Sequence, residues 1–427
     1  MLNFVVVANP ENRRVGFLQQ ALERCSLPPA TVVNYSDLIA GRDTLERFDA
    51  PNTIIRFDSP EKNFEVEKAI IAVGADVSDA GNHQRISAAD AAKLEFDKGR
   101  ILYPRQSYLG WRHLLQQWEK ELKVGRLKVE GLSELKVGRL KVEGLAENNL
   151  QPANFLTFQR VMNHPQEIAV MFDKPLCHEL FNRHGIPVPR SLGVIHNYDH
   201  LREVMQEREC DRPKGDAGGN RVFIKLSHGS AASGVVAYHT HPRGESAITT
   251  VERVRRNGKT ILYNSRKIRQ YTERNAIADI INILCAEGVQ VEEWLPKARL
   301  QNRQFDIRVV VINGEAQHVV VRLGHSPMTN LHLGNERTNL DALLTKVKPD
   351  DWEEMKRTCE AAAALFSNSL YCGIDLLIRP DRKQHAILEI NAFGDLLPGT
   401  TWNGLDTYTS EVKAILKRVK IQLNKAK

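Results

Sequence analysis

Two short apolar runs near the C-terminus, separated by a charged turn, constrain the fold of this chain more than any other feature. Residues 373–378 read Gly-Ile-Asp-Leu-Leu-Ile, and residues 386–391 read Ala-Ile-Leu-Glu-Ile-Asn. Runs of this length and composition on either side of a turn that contains proline predict two antiparallel strands. Because side chains alternate along a strand, Glu389 and Asn391 share one face, and Asp375 on the neighbouring strand can join them.

That shared face predicts a site for a hard cation. Two carboxylates and an amide oxygen, with no Cys or His, are donors that Mg²⁺ prefers, and Mg²⁺ usually takes one or two carboxylates plus substrate phosphates. The alternative from spacing alone is an ordinary hairpin with polar residues on its solvent face. The metal hypothesis gains weight because Glu389 and Asn391 interrupt an apolar strand, where a buried polar group needs a partner.

Length and composition predict several cores and no membrane span. A chain of 427 residues is long enough for two or three compact units. It has no run of about 18 apolar residues, and its first seven residues look like a strand rather than a signal peptide. Six cysteines without a C-x-x-C pair indicate free thiols, so we expect a cytoplasmic protein. The net charge of +7 suits anionic small ligands as well as nucleic acid. We expect neither a membrane nor a nucleic acid partner, and a homo-oligomer stays open.

The N-terminal segment, residues 1–120, alternates short strands with helices, one of them predicted over residues 111–122. This alternation predicts a small doubly wound α/β domain. The turn after its first strand carries Arg13 and Arg14, which are candidates for binding a substrate carboxylate, with a solvated helix start as the alternative. A further candidate, Asp395, follows the second strand of the C-terminal hairpin and either approaches the substrate or caps its loop.

A near-perfect tandem repeat follows the N-terminal segment. Residues 122–134 are repeated at 135–147 with one Ser-to-Ala change. Two copies are too few for a solenoid, and the regularly spaced glycines argue against a stable helix. We interpret residues 121–150 as an insertion in a linker, and a basic binding arm is the alternative.

Two further segments, residues 170–290 and 291–427, are predicted as subdomains that face a common site. The strand that ends at Lys225 runs into residues 227–236, a loop rich in Ser, Gly and Ala. Backbone N–H groups of such a loop can wrap phosphate oxygens, and Lys225 is placed to contact the same phosphates. The alternative is a surface hairpin with a small-residue tip.

Three more strands place polar side chains near this loop. Asp306 and Arg308 share one strand face, and Arg322 lies on the next strand, so the two arginines beside the loop lysine predict a triphosphate clamp. Glu293 and Trp294 follow another strand, whose end can hold adenine between apolar walls. For Trp294 the alternative is an ordinary core position.

The order of these motifs resembles the ATP-grasp superfamily from about residue 173 to the C-terminus. An Asp-Lys pair opens a helix, a lysine precedes a small-residue loop, and Glu-Glu-Trp-Leu, Asp-Ile-Arg and Asp…Glu-x-Asn follow. The ribosomal-protein glutamate ligase branch is nearest in style, and D-alanine–D-alanine ligase is more distant. Residues 322–335 look like the R…S-N-L-H-x-G-G stretch of that branch. The resemblance implies an α/β protein with an ATP-grasp fold, α+β in its C-terminal part, after a small doubly wound domain.

The resemblance also implies three groups of site residues. One group would bind ATP: Lys174, Lys225, Glu293, Trp294, Asp306 and Asn330. A second group would hold Mg²⁺ or Mn²⁺: Asp375, Glu389 and Asn391. The clamp arginines, Arg308 and Arg322, would act in catalysis.

The implied activity is an ATP- and Mg-dependent ligase that joins a carboxylate to an amine or thiol through an acyl phosphate. Its substrates would be small molecules or peptides. The alternative is a non-catalytic nucleotide-binding module that acts through a protein or RNA partner, because Met328 stands where the ligase branch has an arginine and Asn335 replaces its second glycine. A third interpretation is a small-molecule kinase, which would release the phosphorylated product.

Overall fold

The computed structural model describes most of the chain apart from a long segment after the N-terminal unit. The described residues are 2–50, 52–79, 83–122, 160–210, 220–230 and 232–425. The tandem repeat, except for its first residue, and the polar loop at 211–219 lie outside them. None of the described helices is long and apolar enough to cross a membrane.

The N-terminal unit is a parallel sheet of three strands in the order β2-β1-β3. Its elements are β1 (Asn3–Ala8), α1 (Arg13–Arg24), β2 (Thr31–Asn34), α2 (Tyr35–Ile39), β3 (Thr53–Phe57), α3 (Phe64–Gly74), α4 (Ala88–Ala92) and α5 (Pro104–Glu121). Alternate β1 residues enter two apolar clusters: Val5 and Val7 join one with residues of α3 and α5, and Val6 joins the other with residues of α1. Helix α5 begins seven residues before the predicted start, because Pro104 fits its first turn.

The middle unit is an antiparallel sheet of five strands in the order β7-β6-β5-β4-β8. Its elements and the helices before it are α6 (Pro165–Met171), α7 (Lys174–Arg183), α8 (Tyr198–Cys210), β4 (Asn220–Leu226), β5 (Val236–His241), β6 (Gly244–Arg256), β7 (Lys259–Tyr271), α9 (Arg274–Glu287) and β8 (Val289–Glu293). Burial alternates along β4. Val222 and Ile224 pack in a cluster with residues of α8 and α9, which leaves Phe223 and Lys225 on the opposite face.

The C-terminal unit is an antiparallel sheet of six strands. Five of them follow the order β12-β11-β10-β13-β14, and β9 pairs with β10. Its elements are β9 (Arg299–Leu300), β10 (Arg303–Ile312), β11 (Glu315–Gly324), β12 (Glu336–Thr338), α10 (Leu340–Leu344), α11 (Pro349–Ala364), β13 (Tyr371–Ile378), β14 (His385–Asn391), β15 (Thr401–Trp402), β16 (Leu405–Asp406) and α12 (Thr407–Lys425). The predicted hairpin is present as β13 and β14, which pair antiparallel.

The N-terminal and C-terminal units are packed into one another. One apolar cluster contains Val5 and Trp118 of the first unit together with Ile307 and Ile374 of the last sheet. A second cluster joins residues of β1 and α1 to residues of β10 and α12. The middle sheet has a cluster of its own. The middle sheet therefore forms a separate core against a body built from both ends of the chain.

Helices α3 and α5 cross with their backbones in close contact, and a glycine on each helix makes this approach possible. A Cβ atom on Gly110 would lie 1.9 Å from the carbonyl oxygen of Ile70, and one on Gly74 would lie 2.0 Å from that of Gln106. Separations this short are far inside van der Waals contact, so any side chain here would push the helices apart.

We expect Gly110→Ala to lower the free energy of unfolding by about 1–3 kcal/mol, because the added methyl group overpacks the α3–α5 crossing. The matched control is Gly16→Ala in α1, where a Cβ would meet nothing within 4 Å and helix propensity should raise stability by roughly 0.5–1 kcal/mol. Urea unfolding followed by circular dichroism measures both. Equal effects of the two substitutions would contradict the close crossing.

Candidate active site

A cleft of about 740 Å³, counted out to its open mouth, lies between the middle and C-terminal sheets. Most of the predicted site residues line the cleft: Lys174, Lys225, Glu293, Asp306, Arg322, Asn330, Asp375 and Glu389. The remaining three, Trp294, Arg308 and Asn391, are not among its lining residues.

Strand register brings the charged residues of the C-terminal sheet opposite one another. In the paired strands Asp306 stands opposite Arg322, Arg308 opposite Asp375, and Asp375 opposite Glu389. Residues directly opposite in an antiparallel pair point to the same face. Acidic and basic side chains therefore stand opposite one another across β11, β10 and β13, and β14 adds a second carboxylate beside Asp375.

These side chains form a continuous row of ion pairs. Asp306 accepts hydrogen bonds from Arg322 Nε at 2.7 Å and from Lys297 Nζ at 2.8 Å. Arg322 Nη2 also lies 3.1 Å from Asp375 Oδ1, and Arg308 Nε donates to the same oxygen. Burial alone would raise the pKa of both aspartates, but the neighbouring cations outweigh it and hold each pKa below its usual range. Both aspartates are therefore ionised at neutral pH.

Lys297 is a site residue that the motifs did not reveal. It lines the cleft, and its ammonium group donates to Thr329 Oγ1 at 2.8 Å as well as to Asp306. Burial lowers the pKa of Lys297, while the carboxylate of Asp306 opposes that shift. Its sequence signal is weak, because a single lysine two residues after Leu295 looks like an ordinary loop residue.

The predicted metal ligands are all oxygen donors and lie on one pair of strands. Glu389 lies 3.0 Å from Lys174 Nζ, and Asn391 donates its side-chain N–H to Gly373 O at 3.3 Å, so its amide oxygen is left as an acceptor. Among the described residues, no cluster of three or more His, Cys, Asp or Glu is arranged to hold a metal. Two carboxylates and an amide oxygen are donors of the kind that Mg²⁺ takes together with phosphate oxygens.

The small-residue loop after β4 is bordered by two lysines. Lys225 Nζ pairs with Glu292 and lies 3.4 Å from Leu388 O. Lys174 Nζ donates to Gly229 O, and its backbone N–H donates to Ser227 O at 3.1 Å. Both ammonium groups thus lie beside β14, Lys225 at Leu388 and Lys174 at Glu389.

Glu293 and Trp294 take different positions at the end of β8. Glu293 lines the cleft, and its side chain is 35% exposed. The Trp294 ring packs against Phe223 at 5.2 Å between ring centroids, with the Arg221 guanidinium 5.4 Å from the indole. Phe223 itself lines the cleft, so Trp294 supports a wall of the cleft from behind.

Comparison with known proteins finds relatives that are named as ligases. A "Probable alpha-L-glutamate ligase" of Hydrogenovibrio crunogenus is 24% identical over 254 residues, 58% of this chain and 63% of the relative. The same name belongs to a protein of Marinomonas sp., 24% identical over 268 residues, 62% of this chain and 70% of the relative. The first match spans less than two thirds of that relative's length. No protein-family model matches the chain.

Comparison with solved structures finds similar folds at low sequence identity, among them the ATP-grasp ligase PsnB. PsnB in complex with a minimal precursor, Mg and ADP has a TM-score of 0.48 at 17% identity and covers 98% of both chains. D-alanine–D-alanine ligase from Bacillus anthracis in complex with ATP has a TM-score of 0.47 at 9% identity and covers 100% of both. The ligase names of the two sequence relatives agree with the predicted resemblance to the ATP-grasp superfamily. The helices and sheets of the structure agree with the predicted α/β fold class.

Beside the cleft, a buried stack ties the N-terminal unit to the small-residue loop. The Tyr108 ring of α5 stacks on His228, with 3.8 Å between ring centroids and 12° between planes. His228 Nε2 lies 3.2 Å from Asp173 Oδ2, and Asp173 Oδ1 caps α7 by accepting from Leu176 N at 3.0 Å. Burial lowers the pKa of His228, so we assign it as a neutral imidazole that donates to Asp173.

Glu287, the last residue of α9, is a buried acid below the same loop. Its carboxylate accepts from the Arg105 backbone N–H at 3.4 Å, and the next residue, Gly288, accepts from Ser227 N at 3.0 Å. Burial raises the pKa of Glu287 to about 7, although Arg105 opposes the shift. The protonated acid is thus favoured in the folded protein between its unfolded and folded pKa values.

We expect Glu287→Gln to remove a pH dependence of stability. Because the folded pKa of about 7 lies above the usual 4.5, the wild-type protein holds this stabilising proton below pH 4.5 and loses it as the pH rises through 7. From pH 5 to pH 8 the wild type should therefore lose up to roughly 3 kcal/mol relative to the variant. Urea unfolding at both pH values measures this difference. The exposed Glu207→Gln is the control, and parallel pH profiles of wild type and Glu287→Gln would refute the assignment.

Proposed function

We propose that this protein is an ATP- and Mg-dependent ligase that joins a carboxylate to an amine or thiol through an acyl phosphate. One observation carries the proposal. The cleft contains two lysines beside a small-residue loop, and the carboxylate of Glu389, one of the three predicted metal ligands, lies 3.0 Å from one of them. A site that binds both a polyphosphate and a hard cation needs this combination. The ligase names of the curated relatives support it.

In the proposed reaction a substrate carboxylate oxygen attacks the γ-phosphorus of ATP. The bond to the β,γ-bridging oxygen breaks, ADP leaves with the bonding electrons, and an acyl phosphate remains. The amine then attacks the acyl carbon, phosphate departs with the C–O bonding pair, and the nitrogen loses a proton. The protein forms no covalent intermediate and contributes positioning and charge neutralisation.

The cleft residues divide these tasks. Lys174 and Lys225 would hold phosphate oxygens as point charges, supported by backbone N–H groups of the small-residue loop. Arg322, which lines the cleft, would neutralise the negative charge that develops at the transferred phosphoryl group, together with Arg308, whose guanidinium contacts the same oxygen of Asp375. Bound Mg²⁺, held by the Asp375 carboxylate and its two predicted partners on β14, would screen the phosphate charges.

Nucleotide and metal binding should be coupled, because the cations of the site already have carboxylate partners. Lys174 pairs with Glu389, and Arg308 pairs with Asp375. When a phosphate takes over Lys174, Glu389 loses its partner and becomes available to a metal ion. The exchange keeps both Lys174 and Glu389 compensated, which avoids the cost of leaving either charge unpaired.

The relatives also support a proposal for the substrates. Both are named alpha-L-glutamate ligases, so we propose an amino acid, with glutamate as the first candidate, and a small-molecule or peptide carboxylate as its partner. A nucleotide-binding module without turnover is the second candidate. Met328 favours it, because this buried apolar side chain forms part of the cleft wall where the ligase branch has a charged residue.

We expect saturating Mg-ATP, at about 100 times its dissociation constant, to stabilise the wild type by about 2.7 kcal/mol. Glu389→Ala should lose the increment that depends on Mg²⁺. ATP without metal should bind the variant at least as well as the wild type, since the substitution also frees Lys174. Thermal unfolding with ATP, ADP and a non-hydrolysable analogue, each with and without Mg²⁺, measures both terms.

The matched control is Glu315→Gln, an exposed carboxylate at the far end of the same sheet, which should behave as wild type. If Glu389→Ala kept the full Mg²⁺ increment, the metal assignment would be wrong. If no nucleotide stabilised the wild type, the proposed function would be wrong as a whole.

We expect ADP release to require a carboxylate substrate and hydroxylamine to trap a hydroxamate, because an acyl phosphate reacts with this nucleophile. Arg308→Lys keeps the charge but loses the bidentate donor, so the rate should fall by about 10²–10³-fold. A coupled ADP assay over a panel of amino acids, glutamate first, measures the rates. A kinase would release ADP without a hydroxamate, and a binding module would give neither product.

A further inference from the structure

The loop that follows β14 returns across the start of β13. Gly394 N donates to Asn391 O at 3.2 Å, which turns the chain immediately after the predicted metal ligands. A Cβ atom on Gly373 would lie 2.5 Å from the Cα of Gly394, and one on Gly394 would lie 2.4 Å from the Cα of Gly373. The two backbones are therefore in direct contact. A displacement of this loop, residues 392–397, would also displace β13.

The same loop supplies the second anchor of Arg308. The guanidinium donates from Nε to Asp375 and from Nη1 to the Gly394 carbonyl oxygen at 3.2 Å. A guanidinium fixed at two atoms has one orientation, whereas one fixed only by its carboxylate can rotate about the remaining bond. The position of Gly394 O thus decides where the free edge of Arg308 points.

The other side of the loop is held by arginines of the N-terminal unit. Arg14 donates from Nη1 to Asp395 Oδ1 and from Nη2 to Phe393 O, both at 2.6 Å. Arg56 Nη2 donates to Asp395 Oδ2, also at 2.6 Å. Asp395 is fully buried. Each of its carboxylate oxygens accepts a hydrogen bond from an arginine more than 300 positions away in the sequence.

Arg56 is itself fixed on three sides. Its guanidinium lies between the rings of Tyr371 and Tyr408, 4.7 and 4.8 Å from their centroids, and Nη1 donates to Glu411 Oε2 at 2.5 Å. Buried ion pairs of this kind cost about as much to desolvate as they return, so they contribute little stability relative to apolar packing. Their geometric effect is larger, because each bond limits the orientation of the next.

We propose that Arg14 and Arg56, acting through Asp395, are positioning residues that hold Gly394 O in place and so orient Arg308 beside the cleft. The path runs from the N-terminal unit through the loop after β14 to the arginine opposite Asp375. This role rests on the proposed function above, in which Arg308 meets the γ-phosphoryl group. The N-terminal unit thereby contributes to phosphoryl-transfer geometry without contacting the nucleotide.

A positioning role differs measurably from a purely structural one. If the network only holds the units together, weakening it should change the affinities for a diphosphate and a triphosphate by the same factor. If it orients Arg308, the loss should fall on the ligand that carries a γ-phosphate. The ratio of the dissociation constants for the two nucleotides separates the cases.

The test compares Asp395→Asn with wild type in calorimetric titrations of the full-length protein with Mg-ADP and with the Mg complex of a non-hydrolysable ATP analogue. We expect the analogue-to-ADP affinity ratio to fall roughly 10- to 100-fold, the effect of a misplaced hydrogen bond to a charged group. In an Arg308→Lys background the same substitution should change the ratio little further, since both act on one contact. Arg14→Lys keeps the pair with Asp395 but cannot also reach Phe393 O, and it serves as the milder variant if Asp395→Asn does not fold.

The matched control is Glu167→Gln. Glu167 is an equally buried carboxylate that ties α6 to the turn before β13 through Ser369 Oγ at 2.6 Å. It should lower the unfolding temperature without changing the affinity ratio. An unchanged ratio in Asp395→Asn and Arg14→Lys, or an equal fall in Glu167→Gln, would overturn the positioning role alone. Failure of the wild type to bind either nucleotide would overturn the proposed function with it.

Discussion

The antiparallel register of β10, β13 and β14 is the constraint on which the candidate site depends. It places Arg308 opposite Asp375 and Asp375 opposite Glu389, so a strand that is distant in sequence joins the hairpin of β13 and β14 in one row of charges. A shift of one residue would move each of these side chains to the opposite, apolar face of the sheet. The buried residues between them, such as Ile374, lock the register because they fill the shared core. The charge pattern and the core therefore specify the same pairing.

Much of this arrangement could be predicted because it follows from local pattern. The period-two alternation in residues 373–378 and 386–391 gives both the hairpin and the shared face, and an acidic residue inside an apolar strand signals a need for a partner. The same signal was present at Arg56, a charge in the middle of β3. Its partners, Asp395 and Glu411, could not be inferred, because no local pattern links a strand to residues 339 and 355 positions away. Lys297 was missed for the same reason, since only the fold brings it to Asp306.

The cleft is electrostatically compensated before any ligand enters. Lys174, Lys225 and Arg308 each have an acidic partner at bonding distance in this structure. Such pairing limits the cost of keeping several charges in a semi-buried site, and it makes each pair a competitor for the ligand. A phosphate must displace a carboxylate from a lysine, and a metal must displace a cation from a carboxylate. The site should therefore select a ligand that brings phosphate and metal together, because either one alone would leave one member of an ion pair without a partner.

Strand register fixes the positions of the backbones but not the orientations of long side chains. In this site each of three cationic side chains is fixed by two contacts. Lys297 is held by Thr329 in addition to its aspartate, and Lys174 by Gly229 O in addition to Glu389. Arg308 is held by Gly394 O in addition to Asp375. Two fixed contacts per cation remove most of the rotational freedom that would otherwise be lost on ligand binding, which is how preorganised charge becomes effective. The second anchor comes from a loop in all three cases. The core fixes the sheet, and the loops around the cleft fix the orientation of the cationic side chains that would act on a phosphoryl group.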